Sequence, residues 1–183
     1  MKMMPEAPVV LANGTTTFCD GSKVKLTSDA VTGIQWYKDG VIIDGGTGNE
    51  WIAAKSGNYT VTSTLDGCTS VASAAIAVTV KMMPTAPVVV ASGTTTFCDG
   101  NNVRLNSDAV SGNQWYKDGA KIDGATSNEW TASKSGNYTV TSTIDGCTGA
   151  ASTATVILVK QNPAIPVIST EGATVFCEGG QVK

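Results

Sequence analysis

The chain has 183 residues, a net charge of −3, only 15% charged residues and no histidine. Without histidine it lacks the commonest general base and zinc ligand. Without a clustered Lys/Arg face it lacks what phosphate binding needs. We therefore expect no metal, no cofactor and no nucleic acid, and no membrane insertion, because no apolar run approaches the ~20 residues of a spanning helix.

The chain repeats itself. Thr15-Thr16-Thr17-Phe18-Cys19-Asp20-Gly21 recurs letter for letter as Thr94-Thr95-Thr96-Phe97-Cys98-Asp99-Gly100, and in altered form as Ala173-Thr174-Val175-Phe176-Cys177-Glu178-Gly179. The cysteines give the period: 98 − 19 = 79 and 177 − 98 = 79. Residues 3–81 align without gaps to 82–160. We therefore divide the chain into repeats at 1–81 and 82–160 and the N-terminal part of a truncated third at 161–183. Met1-Lys2 aligns with Val80-Lys81, inside a seam. That alignment suggests a segment of a longer protein.

In chain order, the seam Met3-Met4-Pro5-Glu6-Ala7-Pro8 is extended by its prolines and cannot donate to a ladder. Val9-Val10-Leu11 reads as a strand, and Asn13-Gly14 as a turn. Thr15–Cys19 is a short extended piece before Asp20-Gly21. Val24, Lys25, Leu26 and Thr27 alternate apolar and polar, as a half-buried strand does. Ile34–Tyr37 is the next strand, ended by Asp39-Gly40, then come Val41–Ile43 and Glu50–Ala53. Tyr59–Thr64 follows the turn Ser56-Gly57-Asn58, and Asp66-Gly67 is the clearest hairpin turn. A last strand runs through Ala75–Val80. About seven short strands per repeat, with a turn signal every ten or so residues, predict an all-β antiparallel sandwich.

Trp36 and Trp115 read as core, as do Tyr59 and Tyr138. Trp51 and Trp130 follow Asn-Glu at a strand start. They are the candidates for a ligand-facing aromatic surface, alone or with Tyr37 and Tyr116, and packing is their alternative. Asp20, Asp39, Asp44 and Asp66 each stand directly before Gly. That is turn chemistry, not the facing carboxylate pair of a glycoside hydrolase, and their spacing matches no calcium loop. No enzyme is expected. Ile34, Val41, Ile42, Ile52 and Ile76 become Asn113, Ala120, Lys121, Thr131 and Thr155 in the second repeat. This tolerance suggests that all five positions are superficial. Ala77-Val78-Thr79 becomes Val156-Ile157-Leu158, apolar on both faces. Exposed apolar faces would favour contacts with other copies of the chain.

With Gly21–Thr27, Gln35-Trp36-Tyr37-Lys38-Asp39-Gly40 and Ser56-Gly57-Asn58-Tyr59-Thr60-Val61, the repeat resembles an immunoglobulin-like domain. More narrowly, it is similar to the Ig-like tandem repeats of large secreted and surface proteins of Bacteroidetes, adhesin-type and associated with type IX secretion. That resemblance implies an extracellular, cell-surface location and a structural or adhesive stalk or fibre. The partners expected are neighbouring repeats and a cell-surface or polysaccharide target reached by other parts of the parent protein, with other copies of the chain added by the exposed apolar faces. The alternative is a spacer or carbohydrate-binding module of a secreted polysaccharide-degrading enzyme.

Cys19, Cys68, Cys98, Cys147 and Cys177 are the disulfide candidates. The family habit implies a bond inside the repeat, Cys19 to Cys68. In an Ig-like topology, however, the early and late cysteines fall at opposite ends, roughly 23 Å apart for seven residues of strand. A disulfide needs Cα atoms within about 7 Å. The same topology allows Cys19 to meet Cys147 of the next repeat, and a bond between chains is a third arrangement.

Overall fold

The computed structural model describes residues 3–169, 171, 174, 175 and 177–179. Its regular elements are all strands. In the first repeat these are β1 (Val10–Asn13), β2 (Thr17–Cys19), β3 (Val24–Ser28), β4 (Gln35–Lys38) and β5 (Val41–Ile42), followed by β6 (Glu50–Ala53), β7 (Gly57–Thr62), β8 (Thr64–Leu65), β9 (Cys68–Thr69) and β10 (Ile76–Lys81). They build one sheet in the order β1-β3-β6 and a second in the order β2-β10-β7-β4-β5, with β8-β9 as a separate hairpin. In the second repeat they are β11 (Val89–Ala91), β12 (Thr96–Cys98), β13 (Val103–Ser107), β14 (Asn113–Lys117), β15 (Ala120–Lys121), β16 (Glu129–Ala132), β17 (Gly136–Ile144), β18 (Cys147–Thr148) and β19 (Thr155–Lys160). The same two sheets recur, as β11-β13-β16 and β12-β19-β17-β14-β15. Each repeat is thus an immunoglobulin-like sandwich.

In the first repeat the strands outnumber the expected seven because two of them are interrupted and the hairpin adds β9. The first strand changes sheets: β1 pairs antiparallel with β3, and after Gly14 at φ 132° β2 pairs parallel with β10. The strand after the Ser56-Gly57-Asn58 turn breaks beyond Thr62 into the β8-β9 hairpin, whereas β17 runs unbroken into the matching hairpin with β18. The third copy of the motif lies partly outside the described residues, which include neither Ala173 nor Phe176.

Alternation puts Val24, Leu26 and Ser28 of β3 inside, and Trp36, Tyr59, Val61 and Val78 face them from the other sheet. The second sandwich has its own core around Leu105, Trp115, Tyr138, Val140 and Ile157. Trp36 and Trp115 are fully buried. A buried indole needs a partner for its N–H. Trp36 Nε1 donates to the Gly48 carbonyl at 2.8 Å, and Trp115 Nε1 to that of Ser127 at 2.9 Å. Tyr59 and Tyr138 bury their rings and donate their hydroxyls to the carbonyls of Lys55 and Lys134, at 2.9 and 3.0 Å. This is the tyrosine corner of Ig-like domains, and burial raises both phenol pKa values.

Four of the Asp-Gly pairs are hairpin turns. Asp39, Asp66, Asp118 and Asp145 adopt φ of 51–52°, each followed by a glycine also at positive φ, as a type I′ turn requires. Asp39 accepts from Lys38 Nζ and from the Asn58 backbone N–H, both at 2.8 Å. These contacts, the lysine first, hold its carboxyl below the usual range, and Asp118 repeats the arrangement with Lys117 and Asn137.

One expectation is corrected. Val41, Ile42 and Ile52 are exposed, but Ile34 and its counterpart Asn113 are buried, and Ile76 is half-buried against the core. The asparagine is tolerated inside because its Nδ2 donates to the Ala109 carbonyl at 2.9 Å, although its Oδ1 has no partner.

Candidate functional site

The feature with chemistry of its own is the place where the two sandwiches meet. Strand pairing shows why a bond cannot close within one sandwich. Cys19 lies beside Lys81 and Gly57 beside Val78, while Leu65 pairs with Cys68. From Lys81 back to Val78 is 3 steps, and from Gly57 on to Leu65 is 8 more in the same direction. At ~3.3 Å per step, Cys19 and Cys68 sit roughly 35 Å apart along the strands. That is several times the reach of a disulfide.

The first half of the joint is the end of the β2-β10 pair. Asp20 N–H donates to the Lys81 carbonyl at 2.8 Å and Ser22 N–H to that of Cys19 at 3.1 Å, with Gly21 at φ 86°. The second half is the β17-β18 hairpin, turned by Asp145-Gly146 and braced by the Thr143 and Thr148 hydroxyls, 2.9 Å apart. Cys19 and Cys147 are joined across the joint, with Cα atoms 5.6 Å apart and 128 residues of separation. Of the arrangements left open by the sequence, this is the bond between repeats. Cys147 is buried. Cys68, Cys98 and Cys177, also disulfide candidates, carry free thiols, the first half-buried and the other two exposed.

Two further contacts complete the joint. Lys81 Nζ, at the end of the first sandwich, donates to the Asp145 carbonyl at 2.8 Å. Its charge thus meets a hairpin carbonyl beside the disulfide, and Cys19 Sγ lies 3.9 Å from the Gly146 carbonyl. The seam leading into the second sandwich passes so close that a Cβ at residue 149 would collide with the Pro84 carbonyl. Only glycine fits there. Sequence reasoning missed Gly149 and the Lys81 contact. The one available signal was that Gly149 replaces Ser70, one residue beyond the Cys-Thr pair that both copies share.

The candidate aromatics are placed differently from one another. Trp51 pairs with the fully buried Leu26 and so faces inward, half-buried against the core. Tyr37 follows the buried Trp36 and turns to the opposite face, so the two do not make a common surface. Trp51, Ile52, Tyr59, Lys38 and Lys55 line a cleft of about 300 Å³. Trp130 is likewise half-buried, and its Nε1 has no partner. Among the described residues no three His, Cys, Asp or Glu side chains gather as a metal site would require, and no helix is long and apolar enough to cross a membrane.

No protein-family model matches the chain, and no characterised protein matches it in sequence. Among solved structures, the human OSCAR ligand-binding domain is 18% identical, over 85% of this chain and 100% of that one, with a TM-score of 0.34.

Proposed function

We propose that the chain is a load-bearing segment of a large exported bacterial surface protein, an extended stalk or fibre of Ig-like repeats divided at 1–81, 82–160 and 161–183. The observation that carries this reading is the Cys19–Cys147 bond across the joint. A bond inside a domain stabilises that domain, whereas a bond between domains sets how they sit and how far they separate under tension. A structural disulfide also suits an oxidising, extracellular setting. The resemblance to adhesin-type Bacteroidetes repeats supports the same setting. In this role the repeats hold a binding region of the parent protein away from the cell, and neighbouring repeats are their first partners.

The second reading is an accessory module of a secreted polysaccharide-degrading enzyme, favoured by the cleft beside Trp51. Small-angle scattering and glycan-binding assays on the oxidised chain separate the two. A stalk segment should scatter as an elongated particle and bind no polysaccharide. Saturable glycan binding that is lost in Trp51→Ala or Trp130→Ala would refute the stalk reading in favour of the module.

A further inference from the structure

The first sandwich enters the joint with Cys19, Asp20, Gly21 and Lys81, and the second sandwich ends in the same four residue types, as Cys98, Asp99, Gly100 and Lys160. The two half-sites are alike in geometry. Asp99 N–H donates to the Lys160 carbonyl at 2.8 Å, as Asp20 does to that of Lys81. Asn101 N–H reaches the Cys98 carbonyl at 3.2 Å, against 3.1 Å for Ser22 and Cys19. Cys98 stands beside Lys160 in the same parallel register as Cys19 beside Lys81. They differ in cover. Cys19 and Lys81 are half-buried in the joint, whereas Cys98 and Lys160 are exposed and the Cys98 thiol is free.

The chain that leaves this half-site repeats the chain that leaves the first. Its prolines at 163 and 166 follow those at 84 and 87 by one period (163 − 84 = 166 − 87 = 79). Asn162 Nδ2 donates to the Asp99 carbonyl at 3.0 Å, which holds the start of this seam against the half-site. Further on, Cys177-Glu178-Gly179 copies the early motif, and Gly179 has φ 93°, against 86° for Gly21 and 92° for Gly100. A seam of the same length and kind therefore brings the third unit to Cys98 as the seam at Pro84 brings the second to Cys19. The hairpin that such a unit presents needs no bond to take its shape. The Cys68 hairpin, with its thiol free, has φ of 52° and 82° at Asp66 and Gly67, against 51° and 82° at Asp145 and Gly146 in the bonded one. Its Thr64 and Thr69 hydroxyls are 3.0 Å apart, against 2.9 Å for Thr143 and Thr148. A preformed hairpin on a short tether meets the half-site at a higher effective concentration than any separate molecule.

We infer that Cys98, with Asp99 and Lys160, is the docking site for the hairpin of the repeat that begins at residue 161, whose late cysteine bonds to Cys98 as Cys147 does to Cys19. Lys160 Nζ then donates to the hairpin carbonyl two residues before that cysteine, as Lys81 Nζ does to that of Asp145. This inference rests on the reading of 161–183 as the start of a third repeat, and it adds that repeat's contact with the second. Cys98 lies between Cys19 and Cys147 in sequence. The two disulfide-closed loops therefore overlap, and no joint is left unspanned. Chemically, a small-molecule disulfide such as oxidised glutathione is the oxidant. The Cys98 thiolate attacks one of its sulfurs and releases one glutathione thiol. The hairpin thiolate then attacks the Cys98 sulfur of the mixed disulfide and releases the other. Two protein thiols become one disulfide, and the oxidant is reduced to two thiols.

The test is thiol labelling and non-reducing peptide mapping of the protein, purified without reductant from the cells that make it, beside its Cys98→Ser variant. In the unaltered protein Cys98 should take no label until reductant is added, and its peptide should be joined to a cysteine peptide that follows Lys183 in the chain. In Cys98→Ser that same peptide should take the label without reduction, while Cys19–Cys147 stays bonded. Cys98 labelled without reduction would overturn the inference. So would a bond from Cys98 to Cys68, which would put a second copy on the half-site, or a bond to Cys177. The Cys19–Cys147 peptide pair is read in the same digests. Its loss would count against the stalk of linked repeats, whereas its presence with a free or differently bonded Cys98 would count against this inference alone.

Discussion

Pulling the chain from its two ends should reveal the Cys19–Cys147 bond as a bypass for force. The bond lies near the start of the first sandwich and near the end of the second, and the 128-residue separation between its cysteines is removed from the extensible path. Tension in the oxidised protein extends only the 18 residues before Cys19 and the 36 after Cys147. At about 3.5 Å per residue that is roughly 190 Å. Reduction adds the 128-residue stretch, or roughly 450 Å more, released as the two sandwiches unfold. Single-molecule force spectroscopy with handles at the two ends, with and without reductant, measures this directly. Cys19→Ser should behave as the reduced protein in either condition. Equal contour lengths in the oxidised and reduced states would refute the reasoning, because force would then already pass through both cores.

Other consequences follow from single positions. Gly149→Val drives a Cβ into the Pro84 carbonyl. It should displace the seam and make Cys19–Cys147 about tenfold easier to reduce, equivalent to about 1.4 kcal/mol of strain at the joint, as read by thiol labelling against glutathione potential; unchanged reducibility would contradict the tight approach. Asn113→Ile restores the first repeat's residue where an amide oxygen is buried without a partner. It should stabilise the second sandwich by about 1–2 kcal/mol in denaturant unfolding, and destabilisation would show that the Ala109 contact matters more. Stability should be flat through neutral pH and fall at both extremes. Asp39 and Asp118 have lowered carboxyl pKa values, so their contribution is complete above the unfolded value of about 3.9 and is lost as pH falls below it. Tyr59 and Tyr138 have raised values, so theirs is complete below about pH 10 and is lost as pH rises beyond it. Thermal melts across pH check both limbs, and an acid limb unchanged in Asp39→Asn with Asp118→Asn would contradict the first assignment.

Much of the fold was legible because local rules and the repeat agree. The Asp-Gly pairs at 39, 66, 118 and 145 are turns by chemistry alone, and the structure places all four at positive φ. Trp36 stands in a strand between turn signals and is fully buried. Legibility ended where the outcome depends on what comes near in space. The exchange of Ile34 for Asn113 looked like a surface change, yet the amide finds the Ala109 carbonyl inside. A switch of sheets between β1 and β2 leaves no mark in a hydrophobic pattern beyond Asn13-Gly14. The joint was half legible: topology separated Cys19 from Cys68, but the Lys81 contact requires both repeats in place, and the closeness of Pro84 to Gly149 requires the seam folded back on its own sandwich.

The disulfide links the repeats and does not lie within one. Non-reducing peptide mapping of the protein, purified without reductant from the cells that make it, reads this bond out. A peptide pair containing Cys19 and Cys147 is expected; a pair containing Cys19 and Cys68 would contradict the bond between repeats and leave the sandwiches as independently stapled beads.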